Sequence, residues 1–199
     1  MRIVIAGALL TLGLAACGGD GFVSDGLPTT TLIEVADSVE ISGAALPELK
    51  SGPDPAVGTV APEVTGPGFT GKPVTISHDG TAKVIVFLAH WCDQCRGEVE
   101  ELAPYFSALE VPVGVELYSV ATATQSTRPN YPPSEWLLEA GWQLPVLVDT
   151  AGFDVARAYG LSGFPYWVVL DGEGVVLTRI SGRLGVEPVE ALLAKLATF

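Results

Sequence analysis

A stretch of β-branched and aromatic residues leads directly into a closely spaced pair of cysteines, and this arrangement leaves few folds open to the chain. Residues 83–89 (KVIVFLA) have the composition of a strand that is buried on both faces. Residues 90–95 follow as HWCDQC. From Asp93 to Leu109 the apolar positions recur every three or four residues, as in an amphipathic helix. The sequence therefore predicts a buried strand, a short connection and a helix that begins at the cysteine pair.

The place of the two cysteines indicates redox chemistry. The first N–H groups of a helix have no partner within the helix, and the helix dipole favours negative charge there. This favours the thiolate form of Cys92. Two intervening residues make about one helical turn, so the sulfur of Cys95 can reach back to the first sulfur. We expect Cys92 to attack a disulfide and Cys95 to resolve the mixed disulfide.

Other uses of such a pair make different demands on the chain. A structural zinc site needs two more ligands at short spacing, and the two histidines, His78 and His90, do not provide it. Covalent haem attachment needs a histidine where Arg96 stands. A structural disulfide that closes so short a loop contributes little stability. We predict no metal site. The role of His90 stays open between a group that tunes the cysteine pair when protonated and a partly exposed residue at a strand end.

Strands and helices alternate along the rest of the chain. Strands are predicted at residues 73–76, 113–121, 145–148, 166–170 and 175–180, and helices at residues 134–140, 152–159 and 186–197. Ser134 is the expected N-cap of its helix. The sequence DGEG at 171–174 predicts a hairpin between the last two strands. The alternation predicts an α/β fold of three layers, and the hairpin makes the sheet mixed.

The N-terminus has the pattern of an export signal. Arg2 is followed by the uncharged residues 3–16, which as a helix would span about 21 Å, less than the about 30 Å of a bilayer core. We predict a signal peptide at residues 1–16. Residues 14–17 (LAAC) resemble the lipobox of bacterial lipoproteins. That resemblance implies that Cys17 is lipidated and anchors the chain to a membrane; the alternative is simple secretion.

Composition divides the remainder of the chain and excludes some partners. Residues 17–56, rich in Gly, Ser, Thr, Pro and Asp, are predicted to be a tether, in which residues 32–35 and 39–41 could form short docked strands. Residues 57–199 are predicted to form the domain. With 48% apolar and 17% charged residues the chain is not disordered as a whole. A net charge of −13 without clustered Lys and Arg argues against nucleic-acid binding.

The sequence resembles a known superfamily at several places. Trp-Cys-x-x-Cys at 91–95, the helix after it and Gly-Phe-Pro at 163–165 ahead of a strand resemble the thioredoxin superfamily. Residues 57–80, with GKPV at 71–74, are similar to the TlpA/ResA-like branch of membrane-tethered thiol-disulfide oxidoreductases. The resemblance extends over 57–199 and implies a thioredoxin-like three-layer sandwich around a central mixed sheet.

The resemblance also implies roles for individual residues. Pro165 would be a cis-proline that faces the two sulfurs, and Phe164 would offer its backbone to an extended substrate. Trp91 would lie beside the site. TlpA/ResA-like proteins carry a glutamate at the position of Glu98, which would accept the proton of Cys95; the alternative is a solvated glutamate on the helix face. The family often has proline two residues later, where this chain has Glu100.

The function expected from this resemblance is an enzyme of the bacterial cell envelope. It would be a lipid-anchored, monomeric thiol-disulfide oxidoreductase on the outer face of the cytoplasmic membrane. It would exchange disulfides with exported proteins that contain cysteine pairs, would need no diffusible cofactor, and would be reset by a membrane redox partner. The direction of electron flow does not follow from the sequence. The alternative is a thioredoxin-like binding module or copper chaperone. Copper handling favours additional Met or His ligands, and Met1 is the only methionine of the chain, which argues against this alternative.

Overall fold

The computed structural model describes residues 31–198 of the chain. The predicted signal peptide, Cys17 and the first part of the predicted tether lie outside the described residues. Within 31–198, no helix is both long enough and apolar enough to cross a membrane.

Eight strands and four helices make up the described part of the chain. The strands are β1 (Glu40–Ser42), β2 (Glu63–Pro67), β3 (Pro73–Ile76), β4 (Ala82–Leu88), β5 (Val115–Ala121), β6 (Val146–Val148), β7 (Tyr166–Leu170) and β8 (Val176–Ser181). The helices are α1 (Asp93–Ala108), α2 (Pro133–Glu139), α3 (Asp154–Ala158) and α4 (Val186–Leu196). The elements predicted from residue 73 onward are therefore present, with their bounds shifted by at most two residues.

The central sheet has five strands in the order β6-β5-β4-β7-β8. β4 runs parallel to β5, and β5 runs parallel to β6. β7 is antiparallel to both β4 and β8. The predicted mixed sheet is confirmed, and β4, whose seven residues are all buried, lies at its centre. A smaller antiparallel sheet of β1, β2 and β3 lies beside it.

Each face of the central sheet has its own apolar core. Val84, Val86 and Leu88 of β4 face a core that is completed by α1, α2 and α4. Ile85 and Phe87 face the opposite core, which contains residues of α3 and of the small sheet. The strictly alternating direction of strand side chains divides β4 between the two cores. The three predicted layers are thereby confirmed.

Residues 31–56 pack against the rest of the molecule. β1 pairs with β2, and the N–H groups of Ile33 and Ala36 donate to the carbonyls of Phe69 and Asp149 at 2.8 and 3.0 Å. Further along, Leu46 and Ala56 are buried in the core on the α3 side, with exposures of 6% and 0%. Of the segment predicted as a tether, the described part is thus folded onto the domain. Of the two short strands considered there, β1 overlaps residues 39–41, whereas residues 32–35 form no strand.

The predicted N-cap of α2 is wrong. The cap position belongs to Pro132, and Ser134 lies inside the helix. Pro133 occupies the first helical position, where a missing N–H costs no hydrogen bond. The hydroxyl and the N–H of Ser134 both donate to the carboxylate of Glu34, so a side chain from the N-terminal segment caps this helix in place of the serine.

Candidate active site

The two cysteines lie at the N-terminus of α1, directly after the central strand. Cys92 is the N-cap residue, with φ −83° and ψ 119°, and its N–H donates to the Ala89 carbonyl at 3.0 Å. Its Sγ accepts the N–H of Cys95, with a nitrogen–sulfur distance of 3.3 Å. This is the position at which a side chain satisfies an unpaired helix N–H. The sulfur therefore receives a donor that stabilises negative charge on it.

The two thiols have different environments. Cys92 is partly exposed, whereas Cys95 is fully buried on the side of the sheet that α1 covers. Burial raises the pKa of the Cys95 thiol far above its usual range, and the charge of Glu98 adds to the effect. Cys92 is thus the accessible sulfur, and Cys95 stays protonated at neutral pH.

Glu98 is buried one turn after Cys95. Its carboxylate accepts the N–H groups of Leu184 and Gly185 at 2.8 and 3.1 Å, and the Arg183 Nε lies 3.6 Å away. With 0% of its surface exposed, Glu98 is not the solvated helix-face residue of the alternative interpretation. Both oxygens are held by the backbone that leads into α4, so the carboxylate is fixed on the helical turn that follows the buried thiol.

Two aromatic residues flank the cysteine pair. The peptide bond between Phe164 and Pro165 is cis, as the resemblance implies. The rings of Phe164 and Trp91 meet edge to face, with centroids 5.8 Å apart. The indole Nε1 of Trp91 donates to the Ala123 carbonyl at 2.7 Å, which fixes the ring against the segment that follows β5. The residues predicted to surround the site are therefore brought to one end of the sheet.

His90 joins the strand end to the loop of residues 122–132. Its Nε2 accepts the Gln125 N–H at 3.1 Å, so Nδ1 carries the proton and donates to the Pro129 carbonyl at 2.6 Å. The amide of Asn130 donates to the His90 carbonyl at 2.7 Å. With 1% exposure, His90 is not the partly exposed residue that was considered. Burial lowers the pKa of His90, and the charge of Arg128 lowers it further.

Two arginines near Trp91, one from this loop and one from α3, were not identified from the sequence. The Arg128 guanidinium lies over the ring of Trp91, 4.7 Å from its centroid, within the range of a cation–π contact. Arg157 of α3 lines a cavity next to Trp91 and Phe164. Neither arginine belongs to a motif. Only the count of cations in a strongly acidic chain could have drawn attention to them.

Comparison with known proteins assigns the family. Residues 57–179 match the AhpC/TSA family. The chain belongs to the AhpC/TSA family. The matched region of this AhpC/TSA member includes the cysteine pair, Glu98 and Pro165, and it ends within β8.

Relatives of this AhpC/TSA chain are distant. Mouse nucleoredoxin is 27% identical over 111 residues, which are 55% of this chain and 25% of that protein. The chain thus spans about a quarter of the length of nucleoredoxin. The thioredoxin domain of a thiol-disulfide oxidoreductase from Bacteroides vulgatus superposes with a TM-score of 0.57, at 23% identity, over 71% of this chain and 98% of that one.

A second solved structure has the same fold. A secreted disulfide oxidoreductase from Mycobacterium tuberculosis superposes with a TM-score of 0.53, at 19% identity, over 68% of this chain and 95% of that one. The predicted thioredoxin-like fold is confirmed by these superpositions. The chain therefore shares its fold with these two oxidoreductases.

Proposed function

We propose that this protein is an extracytoplasmic thiol-disulfide oxidoreductase that exchanges disulfides with exported proteins through Cys92 and Cys95. The observation that carries the proposal is the asymmetry of the pair: a partly exposed sulfur that receives a helix N–H, and a buried thiol one turn later. The first arrangement presents an accessible nucleophilic sulfur to a substrate disulfide, and the second keeps the resolving thiol away from other reactants.

The reaction proceeds in two exchange steps. The Cys92 thiolate attacks one sulfur of a substrate disulfide, which forms a mixed disulfide and releases the other substrate sulfur as a thiolate that takes a proton from water. Cys95 then loses its proton and attacks the Cys92 sulfur, which forms the Cys92–Cys95 disulfide and releases the second substrate thiol. Two electrons pass from the protein to the substrate. Oxidation of a substrate is the same sequence reversed, and a membrane redox partner resets the pair.

Glu98 is the proposed proton acceptor for Cys95. A thiol whose pKa is raised by burial needs a base when it attacks, and a carboxylate on the same helix face is suited to that task. Pro165 and Phe164 are the proposed substrate clamp, with Trp91 beside it. Their support is the position of these two residues directly before β7 and the contact between the two aromatic rings.

Export and membrane anchoring complete the proposal. Their support is the N-terminal sequence, with its uncharged stretch at residues 3–16 and the LAAC motif that ends at Cys17. A protein that shares the fold, the oxidoreductase from Mycobacterium tuberculosis, is secreted. Lipidated peptides released from membrane fractions and identified by mass spectrometry would test the anchor at Cys17.

The equilibrium reduction potential of the pair tests the activity. The full chain carrying Cys17→Ser is equilibrated with glutathione or dithiothreitol buffers, and its thiols are trapped and counted. A potential of about −120 mV would identify a disulfide donor, and a potential below about −230 mV would identify a reductant. The variant Cys95→Ser should accumulate the mixed disulfide on Cys92, whereas Cys92→Ser should not. A pair without a reversible two-electron transition would contradict the proposal.

A further inference from the structure

A cavity of about 350 Å³ opens beside the cysteine pair. Trp91, which precedes Cys92, and Phe164, which precedes Pro165, form one wall, and Phe153 and Leu161 contribute to the other. The walls are largely apolar. The volume lies at the low end of the range of about 300–1,000 Å³ for ligand sites, which suits one large side chain.

Two arginines, one that lines this cavity and one that lies over Trp91, differ from the other arginines of the described residues. Of the arginines in residues 31–198, Arg96, Arg179 and Arg183 form ion pairs with carboxylates. Arg157, which lines the cavity, and Arg128, which lies over Trp91, have no carboxylate of the described residues within 4.0 Å. The chain has 23 acidic and 10 basic residues, so internal partners are not scarce.

Two acidic side chains, one near Arg157 on α3 and one next to Cys92, have other partners. Asp154 lies one turn before Arg157 on α3, and its Oδ2 accepts the hydroxyl of Thr150 at 2.7 Å. Asp93, beside Cys92, lies 3.5 Å from the Arg96 guanidinium. The two guanidinium groups, which no carboxylate of the described residues approaches within 4.0 Å, are therefore available to an anionic group beside the apolar cavity, an arrangement that complements a ligand that is both apolar and anionic.

We propose that this cavity binds an apolar side chain of the substrate polypeptide near its reactive cysteine, and that Arg128 and Arg157 pair with an aspartate or glutamate of the same segment. The inference rests on the proposed function, because it takes Cys92 as the sulfur that the substrate meets. The two arginines are specificity-determining residues. They select among polypeptide disulfides and take no part in the exchange of sulfur bonds.

A set of short peptides tests the inference. Each peptide contains one cysteine, held as a disulfide with cysteamine, preceded by Leu-Glu, Leu-Gln, Leu-Lys or Gly-Gln. The reduced full chain carrying Cys17→Ser reacts with each peptide, and the released cysteamine and peptide thiols are measured by chromatography. One substrate disulfide is consumed for each Cys92–Cys95 disulfide formed. We expect the Leu-Glu peptide to react about twofold to fivefold faster than Leu-Gln, as for one partly exposed ion pair, and Leu-Gln faster than Gly-Gln.

Substitution of the arginines separates charge recognition from other effects. In the double variant Arg128→Gln/Arg157→Gln, the ratio of the Leu-Glu rate to the Leu-Gln rate should fall to about one, because no charge remains to distinguish the peptides. The ratio is measured within each variant, so a general loss of rate cancels. The matched control Lys195→Gln, which removes a cation from the last turn of α4, should keep the wild-type ratio.

Each contrary result has one meaning. Equal Leu-Glu and Leu-Gln rates in the unsubstituted protein, or a preference that survives in the double variant, would overturn the inference. Glutathione disulfide that reacts faster than every peptide would indicate a small anionic substrate and overturn the assignment to polypeptides. If the unsubstituted protein reacts with neither the peptides nor the neutral 2-hydroxyethyl disulfide, the proposed function itself fails.

Discussion

Cys92 and Cys95 are three residues apart, yet their sulfurs lie in different environments. Cys92 lies at the helix cap with a backbone donor, whereas Cys95 is buried among apolar side chains. Burial raises the pKa of Cys95, and the charge of Glu98 opposes its ionisation as well. In the proposed reaction, the local environment of each sulfur therefore makes Cys92 the attacking thiol and Cys95 the resolving thiol.

We expect iodoacetamide at pH 8 to modify Cys92 and to spare Cys95 in the folded, reduced protein. Cys92 is accessible to the reagent, whereas Cys95 is buried and its raised pKa keeps it protonated. Tandem mass spectrometry of the full chain carrying Cys17→Ser would distinguish the two positions. The same reaction in guanidinium chloride is the control and should modify both. Equal modification of the two cysteines in the folded protein would contradict the asymmetry.

His90 should make the stability of the fold depend on pH. Burial lowers the pKa of His90 in the folded state below its unfolded value of about 6.5, so the unfolded chain binds the proton first. Above about pH 6.5, the contribution of His90 to the free energy of unfolding does not change with pH. As the pH falls below that value, protonation of His90 in the unfolded chain lowers the free energy of unfolding by at most about 1.4 kcal/mol per pH unit. Protonation of Nε2 also removes the acceptor for the Gln125 N–H.

The variant His90→Asn should lose this part of the pH dependence. Urea unfolding between pH 4.5 and 7.5 would measure it, and His78→Asn is the control that changes the other histidine. Glu34 and Arg128 are the charged groups whose fields act on His90, and neither variant removes them. A pH dependence that persists in His90→Asn would assign the effect to another group.

At the scale of elements, Glu98 connects two helices. Its side chain projects from α1, and both its oxygens accept N–H groups of Leu184 and Gly185, where the chain turns into α4. The helix that bears the cysteines and the C-terminal helix are therefore linked by one buried carboxylate. A residue with this position affects both the stability of the fold and the environment of Cys95.

We expect Glu98→Gln to lower the free energy of unfolding by about 1–3 kcal/mol. The amide NH₂ group of glutamine cannot accept a hydrogen bond, so one of the two backbone N–H groups that the carboxylate binds would lose its acceptor. Urea unfolding would measure the loss. Glu100→Gln, on the exposed side of the same helix, is the control and should change little. If Glu98 also accepts the proton of Cys95, the pH profile of the resolution step should shift in Glu98→Gln alone. An equal effect of the two variants on stability would contradict the structural link.

Local patterns predicted the elements that are built from contiguous sequence. The continuous apolar run predicted β4, and the helical spacing of apolar residues predicted α1, because the residues that form each of these patterns are contiguous in the sequence. β2 was not predicted, since Gly66 and the terminal Pro67 give it a weak strand pattern. Its place depends on pairing with β1 and β3.

The candidate site divides in the same way. The cysteine pair and Pro165 were found because their motifs are local or resemble a family. The arrangement of His90, Ala123 and Arg128 was not, because it depends on how a loop returns to the strand end. The cap of α2 depends on Glu34, about a hundred residues away in the chain. Contacts of that range leave no pattern in a single sequence.

At the scale of the whole molecule, a buried arginine joins the N-terminal segment to the central sheet. Arg179 of β8 donates to the carboxylate of Asp54 at 2.9 and 2.5 Å and to the carbonyls of Pro47 and Tyr159 at 2.8 and 3.1 Å. The hydrogen bond from Arg179 lowers the pKa of Asp54. The Arg179–Asp54 pair therefore stabilises the fold above about pH 4, and this stabilisation is lost as the pH falls through the pKa of Asp54 in the folded protein.

We expect Asp54→Asn to destabilise the protein by about 3–5 kcal/mol at pH 7, because it leaves a buried guanidinium without a counter-charge. Thermal or urea unfolding of the reduced protein would measure the loss. Asp93→Asn, which removes an exposed partner of Arg96, is the control and should cost about 0–1 kcal/mol. Similar effects of the two substitutions would show that the Arg179 pair does not hold the segment.

The course of residues 31–56 also determines how the protein responds to mechanical load. Traction on the N-terminal end acts first on the bonds to Phe69 and Asp149, then on the pairing of β1 with β2, and then on the bonds that Leu46 and Leu49 make at the end of α3. None of these contacts involves α1 or β4. We therefore expect the segment to detach in stages under traction before the load reaches the backbone of α1 and β4, which position the cysteine pair.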